Sequence, residues 1–303
     1  MKWFTAWRRR PWAGYAVVLV ALATIGVVYA GFSSRTAQAT ASSASADDLA
    51  HGKQLFNQNC ASCHGPNAEG TRDAKGNAIA PSLIGVGAAA VNFQVSTGRM
   101  PAMTPGAEMP RKTPVPAFNP ESIQVQYPPN ATEAQKKALR QAAVDKNLND
   151  IQAYVESLGN GPSVPSADQV APANDQVGLG GTLFRTNCAQ CHNFAGQGGA
   201  LTYGKYAPPL LQSTPTQIYE AMITGPEAMP VFNDTTITPA QKRAIIAYIV
   251  QTRSEANPGG NGLGRIGPVP EGLAGWLVGI GLLVLAAMWI TAKKPKKLKK
   301  QHD

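Results

Sequence analysis

Cysteine and histidine are scarce in this chain, with four of each among 303 residues. Four cysteines could make two disulfides in an exported protein, but their placement points elsewhere. All four cysteines and two of the histidines sit in two copies of one pattern, NCASCHG at residues 59–65 and NCAQCHN at residues 187–193. Charge is missing altogether from two long runs, 12–32 (WAGYAVVLVALATIGVVYAGF) and 272–292 (GLAGWLVGIGLLVLAAMWITA). Each matches the roughly 20 apolar residues that a membrane-spanning helix needs. Tryptophan is absent between Trp12 and Trp276, and all five (Trp3, Trp7, Trp12, Trp276, Trp289) lie in or beside those runs, as interfacial anchors do. A convincing alternating strand pattern is also missing, so the expected fold class is mostly α.

The net charge of +9 suggests nucleic acid until it is located. Lys2, Arg8, Arg9 and Arg10 precede the first apolar run, and Lys293, Lys294, Lys296, Lys297, Lys299 and Lys300 follow the second. Without those ten, and without Asp303, the body holds 17 basic and 17 acidic residues. The excess is a topology signal and no nucleic-acid partner is expected. By the positive-inside rule both ends are cytoplasmic and the body lies outside the membrane. The first run has a rival reading as a cleaved signal peptide with an A-x-A site near Ala37–Ala39. Its 21 residues exceed the usual h-region of about 7–15, which favours a retained anchor.

The two cysteine motifs belong to a tandem repeat. LFNQNCASCH (55–64) matches LFRTNCAQCH (183–192) at a shift of 128. APSL (80–83) matches APPL (207–210), and Thr97-Gly98 matches Thr224-Gly225, both at 127. IQAY (151–154) matches IIAY (245–248). Short helices are expected over 48–59 and 176–187, each ending at a cysteine pair. Thr238 to Gln241, with Pro239 at the first helical position, forms a capping box, and Thr132 to Gln135 is the same box in the first copy. The closing helix of the first copy is expected over 149–158, stopped by Gly159. Phe56 and Phe184 should pack on Tyr154 and Tyr248. The stretch 101–130 carries eight prolines and no counterpart in the second copy. A loop so long is usually functional or disordered. We expect it to lie against a partner, the plainer alternative being a solvated insertion.

Cys-x-x-Cys-His is the attachment pattern of c-type haem. Two thiols, Cys60 with Cys63 and Cys188 with Cys191, add to the two vinyl groups of one porphyrin. The adjacent His64 or His192 then ligates iron, so two haems c are expected. A redox dithiol needs no following His. A zinc site from two such pairs would usually have them closer than the 125 positions between Cys63 and Cys188. The sixth ligand should be Met or His. His51 is the one spare histidine of the body, which excludes two bis-His sites. Met100 and Met229, each followed by proline and just after the repeated Thr-Gly, are the expected sixth ligands, with Met109 the competitor in the first copy. Met222 is expected in the core. A ligating His normally donates its other ring N–H to a carbonyl or carboxylate. Pro81 and Pro208 could offer that carbonyl, or could only shape a loop.

Each copy resembles a class I cytochrome c domain in the order of its motifs: Cys-x-x-Cys-His, a Pro-x-Leu segment, Met-Pro, then a closing helix with an aromatic. That resemblance implies that the carbonyls of Pro81 and Pro208 accept from the ligand His. The whole arrangement, with FQVSTGRMPAM (93–103), is similar to the dihaem cytochrome c subunit of the actinobacterial-type cytochrome bcc complex, a menaquinol–cytochrome c reductase. The resemblance implies two tandem cytochrome c-like helical domains between two transmembrane helices. The expected parts are an anchor (1–32), a linker (33–47) and a first domain (48–159). A linker (160–175), a second domain (176–256) and a linker (257–271) follow, then a span (272–292) and a basic cytoplasmic tail (293–303). It also implies an electron-transfer subunit without catalytic residues of its own. Electrons would pass from the Rieske iron–sulfur centre, beside cytochrome b, to an aa3-type terminal oxidase. Three rivals stand: a dihaem subunit of a cbb3-type oxidase, for which a second span with a polybasic end is not expected; a carrier for an exported dehydrogenase; and a dihaem peroxidase, which needs an open iron.

Overall fold

The capping signals become real helix starts in the computed structural model, which describes Tyr15 and residues 18–24, 44–104, 106, 108–256, 263–265 and 268–292. The chain divides into two units, 1–43 and 44–303. In the first, Tyr15 and residues 18–24 are helical and exposed. The rest of the apolar run 12–32, and with it the choice between anchor and signal peptide, lies outside the described residues, as does the basic tail 293–303.

The second unit begins with α1 (Ala46–Asn59), whose N-cap Ser45 exchanges hydrogen bonds with Asp48 in a capping box. A single turn, α2 (Ala61–His64), follows at once. A small antiparallel hairpin pairs β1 (Thr71–Arg72) with β2 (Ala78–Ala80). Then come α3 (Gly87–Ser96) and a 3-10 turn at Pro116–Phe118. The next helix corrects the sequence reading. In place of a short helix over 149–158, α4 runs unbroken over Glu133–Ser157, and the Thr132–Gln135 box caps it. The run contains neither Gly nor Pro and is rich in Ala, Lys and Gln, so nothing stops the helix before Ser157. One buried cluster gathers Leu55 and Phe56 of α1, Val91 and Val95 of α3, and Ile151, Tyr154 and Val155 of α4. Phe118, from the Pro-rich insertion, completes it.

The linker 160–175 is not featureless. It holds the turn α5 (Ala167–Val170), beside which Arg243 Nε donates to Ala171 O at 2.9 Å. The second repeat then restates the first: α6 (Val177–Asn187), the turn α7 (Ala189–His192), and a hairpin of β3 (Gly199–Ala200) with β4 (Tyr206–Ala207). Two capped helices close it. α8 (Pro215–Thr224) has a Thr214–Gln217 box and a left-handed Gly225 at its end. α9 (Pro239–Ser254) has the Thr238–Gln241 box. Its core is Phe184, Ile218, Tyr219, Met222, Ile237, Ile245, Ile246 and Ile249.

Both repeats are locked by the same crossing of first and last helix. Gly52 lets α1 approach α4 so closely that an added Cβ would meet Asp150 O at 2.0 Å. Gly180, at the repeat shift of 128, does the same for α6 on α9, where the Cβ would meet Ala244 O at 1.9 Å. Beside each glycine lies the expected aromatic pair: Phe56 on Tyr154 with centroids 5.4 Å apart, and Phe184 on Tyr248 at 5.3 Å. Tilted pairs of this kind are worth about 0.5–1.5 kcal/mol beyond their burial.

The repeats meet through α3 and α8. Gln152 Nε2 donates to Asn92 Oδ1 at 2.9 Å, and Asn92 Nδ2 donates across the seam to Glu220 Oε1 at 2.6 Å. The Pro-rich insertion lies on the second repeat of the same chain. Met109 N donates to Glu227 Oε1 at 2.8 Å, Arg111 Nη2 donates to Gln217 Oε1 at 2.8 Å, and Glu108 accepts from Tyr206 N. Last comes α10 (Pro268–Ala292). Within Val269–Ala292 an 18-residue window reaches a mean hydropathy of 2.3 with none of it buried, long and apolar enough to cross a membrane.

Candidate functional site

Each Cys-x-x-Cys-His segment is presented by the end of a helix. Cys60 N donates to Phe56 O at 2.8 Å as the C-cap of α1, and His64 N donates to Cys60 O at 3.0 Å. Cys188 N donates to Phe184 O at 2.8 Å, and His192 N to Cys188 O at 2.9 Å. One helical turn thus carries two sulfurs and an imidazole to a single wall. The chain then reverses through a residue of positive φ, Gly65 (φ 79°) in one repeat and Asn193 (φ 64°) in the other. With ψ of 156° and 167° this backbone region suits glycine alone, so Asn193 is held there against a cost of about 1–3 kcal/mol.

The loops after the histidines repeat bond for bond. Gly70 N donates to His64 O at 2.7 Å and Gly198 N to His192 O at 3.0 Å. Leu83 N donates to Ala68 O and Leu210 N to Gly196 O, both at 2.8 Å. This brings the Ala-Pro-x-Leu segment under the imidazole. His64 Nδ1 lies 2.8 Å from Pro81 O, and His192 Nδ1 lies 3.0 Å from Pro208 O. A carbonyl oxygen only accepts, so Nδ1 carries the proton and Nε2 is left with its lone pair for a metal. Burial lowers the His192 pKa, which favours the neutral ring, although the bond to Pro208 pulls the other way.

Each imidazole faces a cavity. The first, about 540 Å³, is lined by Cys60, Cys63 and His64, by Pro81 and Leu83, by Val91 and Val95, and by all three methionines of the segment, Met100, Met103 and Met109. The second, about 270 Å³, is lined by Cys188, Cys191 and His192, by Pro208 and Leu210, and by Met222 and Met229. Met103 is 88 % exposed, whereas Met100, Met109 and Met229 are half-buried. Met222 is buried in the second core.

Thiol chemistry separates the possible uses of these walls. Cys60 and Cys188 are half-buried, Cys63 and Cys191 exposed, and none is in a disulfide. Burial, then the neighbouring cysteine, pushes the Cys60 thiol up to about 11 and the Cys188 thiol up to about 12. A redox dithiol needs the opposite shift. Among the described residues no three His, Cys, Asp or Glu side chains converge as they would around a bare metal ion. What remains is a largely apolar cavity with two thiols, an imidazole with a free Nε2 and a thioether on its wall. That donor set fits a covalently held porphyrin.

Sequence reasoning missed two features. The paired glycines Gly52 and Gly180 were visible at the repeat shift. The crossed lining was not: Phe93, Arg99 and Glu108 of the first repeat lie on the wall of the second cavity, and Gly225 and Glu227 of the second lie on the wall of the first. No sequence signal announces such an exchange.

A family model described as cytochrome C oxidase, cbb3-type, subunit III matches twice, at residues 47–115 and 175–249. The cytochrome bc1 complex cytochrome c subunit of Mycobacterium bovis is 42 % identical over 291 residues, covering 94 % of this chain and 92 % of the relative. The protein of the same description from Corynebacterium diphtheriae is 39 % identical over 299 residues, covering 94 % and 95 %.

Proposed function

The chain belongs to the family of cytochrome c subunits of the cytochrome bc1 complex, and from that premise we propose that it is a membrane-held dihaem relay. Membership carries an electron-transfer role within a quinol–cytochrome c reductase of the respiratory chain, and the apolar helix α10 associates the chain with the membrane. The finer reading is that each repeat is a c-type haem domain on the extracytoplasmic side, with both chain ends cytoplasmic. The first apolar run then serves as a second span. Electrons arrive from a Rieske iron–sulfur subunit beside cytochrome b and leave to an aa3-type terminal oxidase, and menaquinol is oxidised on other subunits. The cbb3-type family model covers the two repeats alone. The bc1 relatives match across nearly the whole chain, which favours the reductase.

The observation that carries this reading is the duplicated wall: two thiols, a histidine with Nδ1 bonded to a proline carbonyl, and a methionine on one cavity, built twice. Cys60 with Cys63, and Cys188 with Cys191, would hold the porphyrins, and His64 and His192 the irons. Met100 and Met229 would be the sixth ligands, with Met109 the alternative in the first. The bound haem supplies one-electron redox chemistry. The protein's part is to fix its ligands and exclude water. Each Nδ1–H is committed to a carbonyl, which fixes the tautomer and the turn of the ring and leaves Nε2 as the ligating atom. Phe56, Ile151 and Val155 line the first slot, and Phe184, Ile218 and Ile245 the second, giving both an apolar surround. His/Met ligation raises the iron potential, which suits the high-potential side of the chain. A relay tethered between its partners also works at high effective concentration.

The test is a mild-detergent purification through a tag on this chain. We expect two haems c per chain, one after Cys188→Ala with Cys191→Ala, and one after Cys60→Ala with Cys63→Ala. A chain free of haem overturns the cofactor reading. We also expect b-type and a-type bands in the reduced-minus-oxidised spectrum. Loss of the a-type bands alone would reject the oxidase, and loss of both would reject the assembly.

A further inference from the structure

Arg99 belongs to the first repeat but points into the second cavity. The residue is 7 % exposed and lines that cavity with Phe93 and Glu108, the other wall residues coming from the second repeat. Its placement is tightly fixed. Met100 N donates to Gln94 O at 3.0 Å on one side. On the other, Gly98 (φ 68°) is pressed so close to the insertion that a Cβ would meet Lys112 O at 1.9 Å. The guanidinium carbon sits 4.8 Å from the centre of the Phe93 ring. Nη1 is buried and has no hydrogen-bond partner. The ion pairs among the described residues do not include Arg99.

A buried guanidinium without an anion is costly. Of the carboxylates on the same wall, Glu227 attracts the guanidinium through space but makes no ion pair with it. Glu227 accepts from Met109 N, and Glu108 accepts from Tyr206 N. Arg111, the like charge nearby, is turned to Gln217. The pocket therefore presents a fixed guanidinium whose buried Nη1 has no hydrogen-bond partner. A haem brings two carboxylates, and guanidinium binds carboxylate in a bidentate, charge-assisted way.

We propose that Arg99 binds the carboxylate edge of the haem held by the second repeat, so that the second site is incomplete without the first repeat. The inference rests on the dihaem reading above. Arg99 is also the residue before Met100, a candidate ligand of the first iron. One dipeptide then touches both centres, and the two repeats cannot shift against each other without disturbing ligation at one of them. Arg99 is thus a positioning residue, and it sets the potential of the haem across the seam. A cation beside the haem carboxylates disfavours the ferric state, so its removal lowers that potential.

The test uses the full-length holoprotein. Met229→His assigns the second midpoint by shifting it alone. Arg99→Gln should leave two haems per chain and shift the second reduction equilibrium about tenfold toward the oxidised form, 59 mV for a one-electron couple. The first haem should move less. Arg99→Lys keeps the charge, loses the fork and should shift the second haem by a smaller factor in the same direction. That variant carries the test if the glutamine protein does not fold. An unmoved second midpoint, an equal fall at both haems, or a fall at the first alone overturns the proposal. Fewer than two haems on the wild-type chain would instead overturn the dihaem reading.

Discussion

At the helix crossing the two repeats are interchangeable. Gly52 answers to Gly180, Phe56 on Tyr154 to Phe184 on Tyr248, and the bond from His64 to Pro81 to that from His192 to Pro208. Away from the crossing they diverge. The closing helix has 25 residues in the first repeat and 16 in the second. The first cavity is about 540 Å³ and has three methionines on its wall; the second is about 270 Å³ with two. His51 and Lys146 both bond to buried Asp150 in the first repeat, an arrangement built on the longer helix. The difference teaches where the duplicated unit was free to change. The crossing and the histidine loop are held by backbone contacts that tolerate little. The stretch between α3 and the closing helix could grow, and its growth made the interlock between the repeats.

The largest effect should come from the part the repeats share. Gly52→Ala and Gly180→Ala each force a Cβ against a backbone oxygen, and overpacking of this kind costs about 1–3 kcal/mol or more. Each variant should lower the thermal midpoint and impair haem retention in its own repeat, read from the c-band absorbance on heating. If one repeat accepts alanine without loss, the crossing is not equivalent in the two.

A smaller effect separates the candidate ligands. Met229 stands 37 residues after His192, Met100 stands 36 after His64, and Met109 stands 45 after it. The comparison therefore favours Met100. Met100→Leu and Met229→Leu should each lower one haem potential and open that iron to carbon monoxide, while Met109→Leu leaves both unchanged. Carbon monoxide binding after Met109→Leu, with none after Met100→Leu, would exchange the two assignments.

The smallest effect concerns the seam. Burial pushes the Glu220 carboxyl up from 4.5 to about 8, against the bond from Asn92, which pulls it down. The stability this raised value contributes is complete below pH 4.5 and is lost as the pH climbs through about 8. Glu220→Gln should therefore flatten the decline of stability across that window, measured by denaturant titration at several pH values. The same slope in both proteins would show that Glu220 does not govern the seam.

Much of this was legible beforehand because the repeat doubled every signal. The boxes at Thr132 and Thr238 are local hydrogen-bond chemistry, and both cap helices. The aromatic pairs followed from their places before the cysteines and in the closing helix. The extent of α4 was missed because the second copy served as its template, although its own composition favours a continuous helix. The short hairpins were invisible, since strands of two or three residues leave no alternation to read.

The sequence by itself determined the two Cys-x-x-Cys-His motifs, their duplication, the apolar run that becomes α10 and the neutral body between the charged ends. These are matters of residue type and short spacing, which the chain carries wherever it folds. Only the tertiary structure decided that the insertion would turn inward onto the second repeat, and that Arg99 would leave its own cavity for the neighbouring one. Those contacts join residues about a hundred positions apart. They depend on how two packed surfaces meet, a property that no local pattern records.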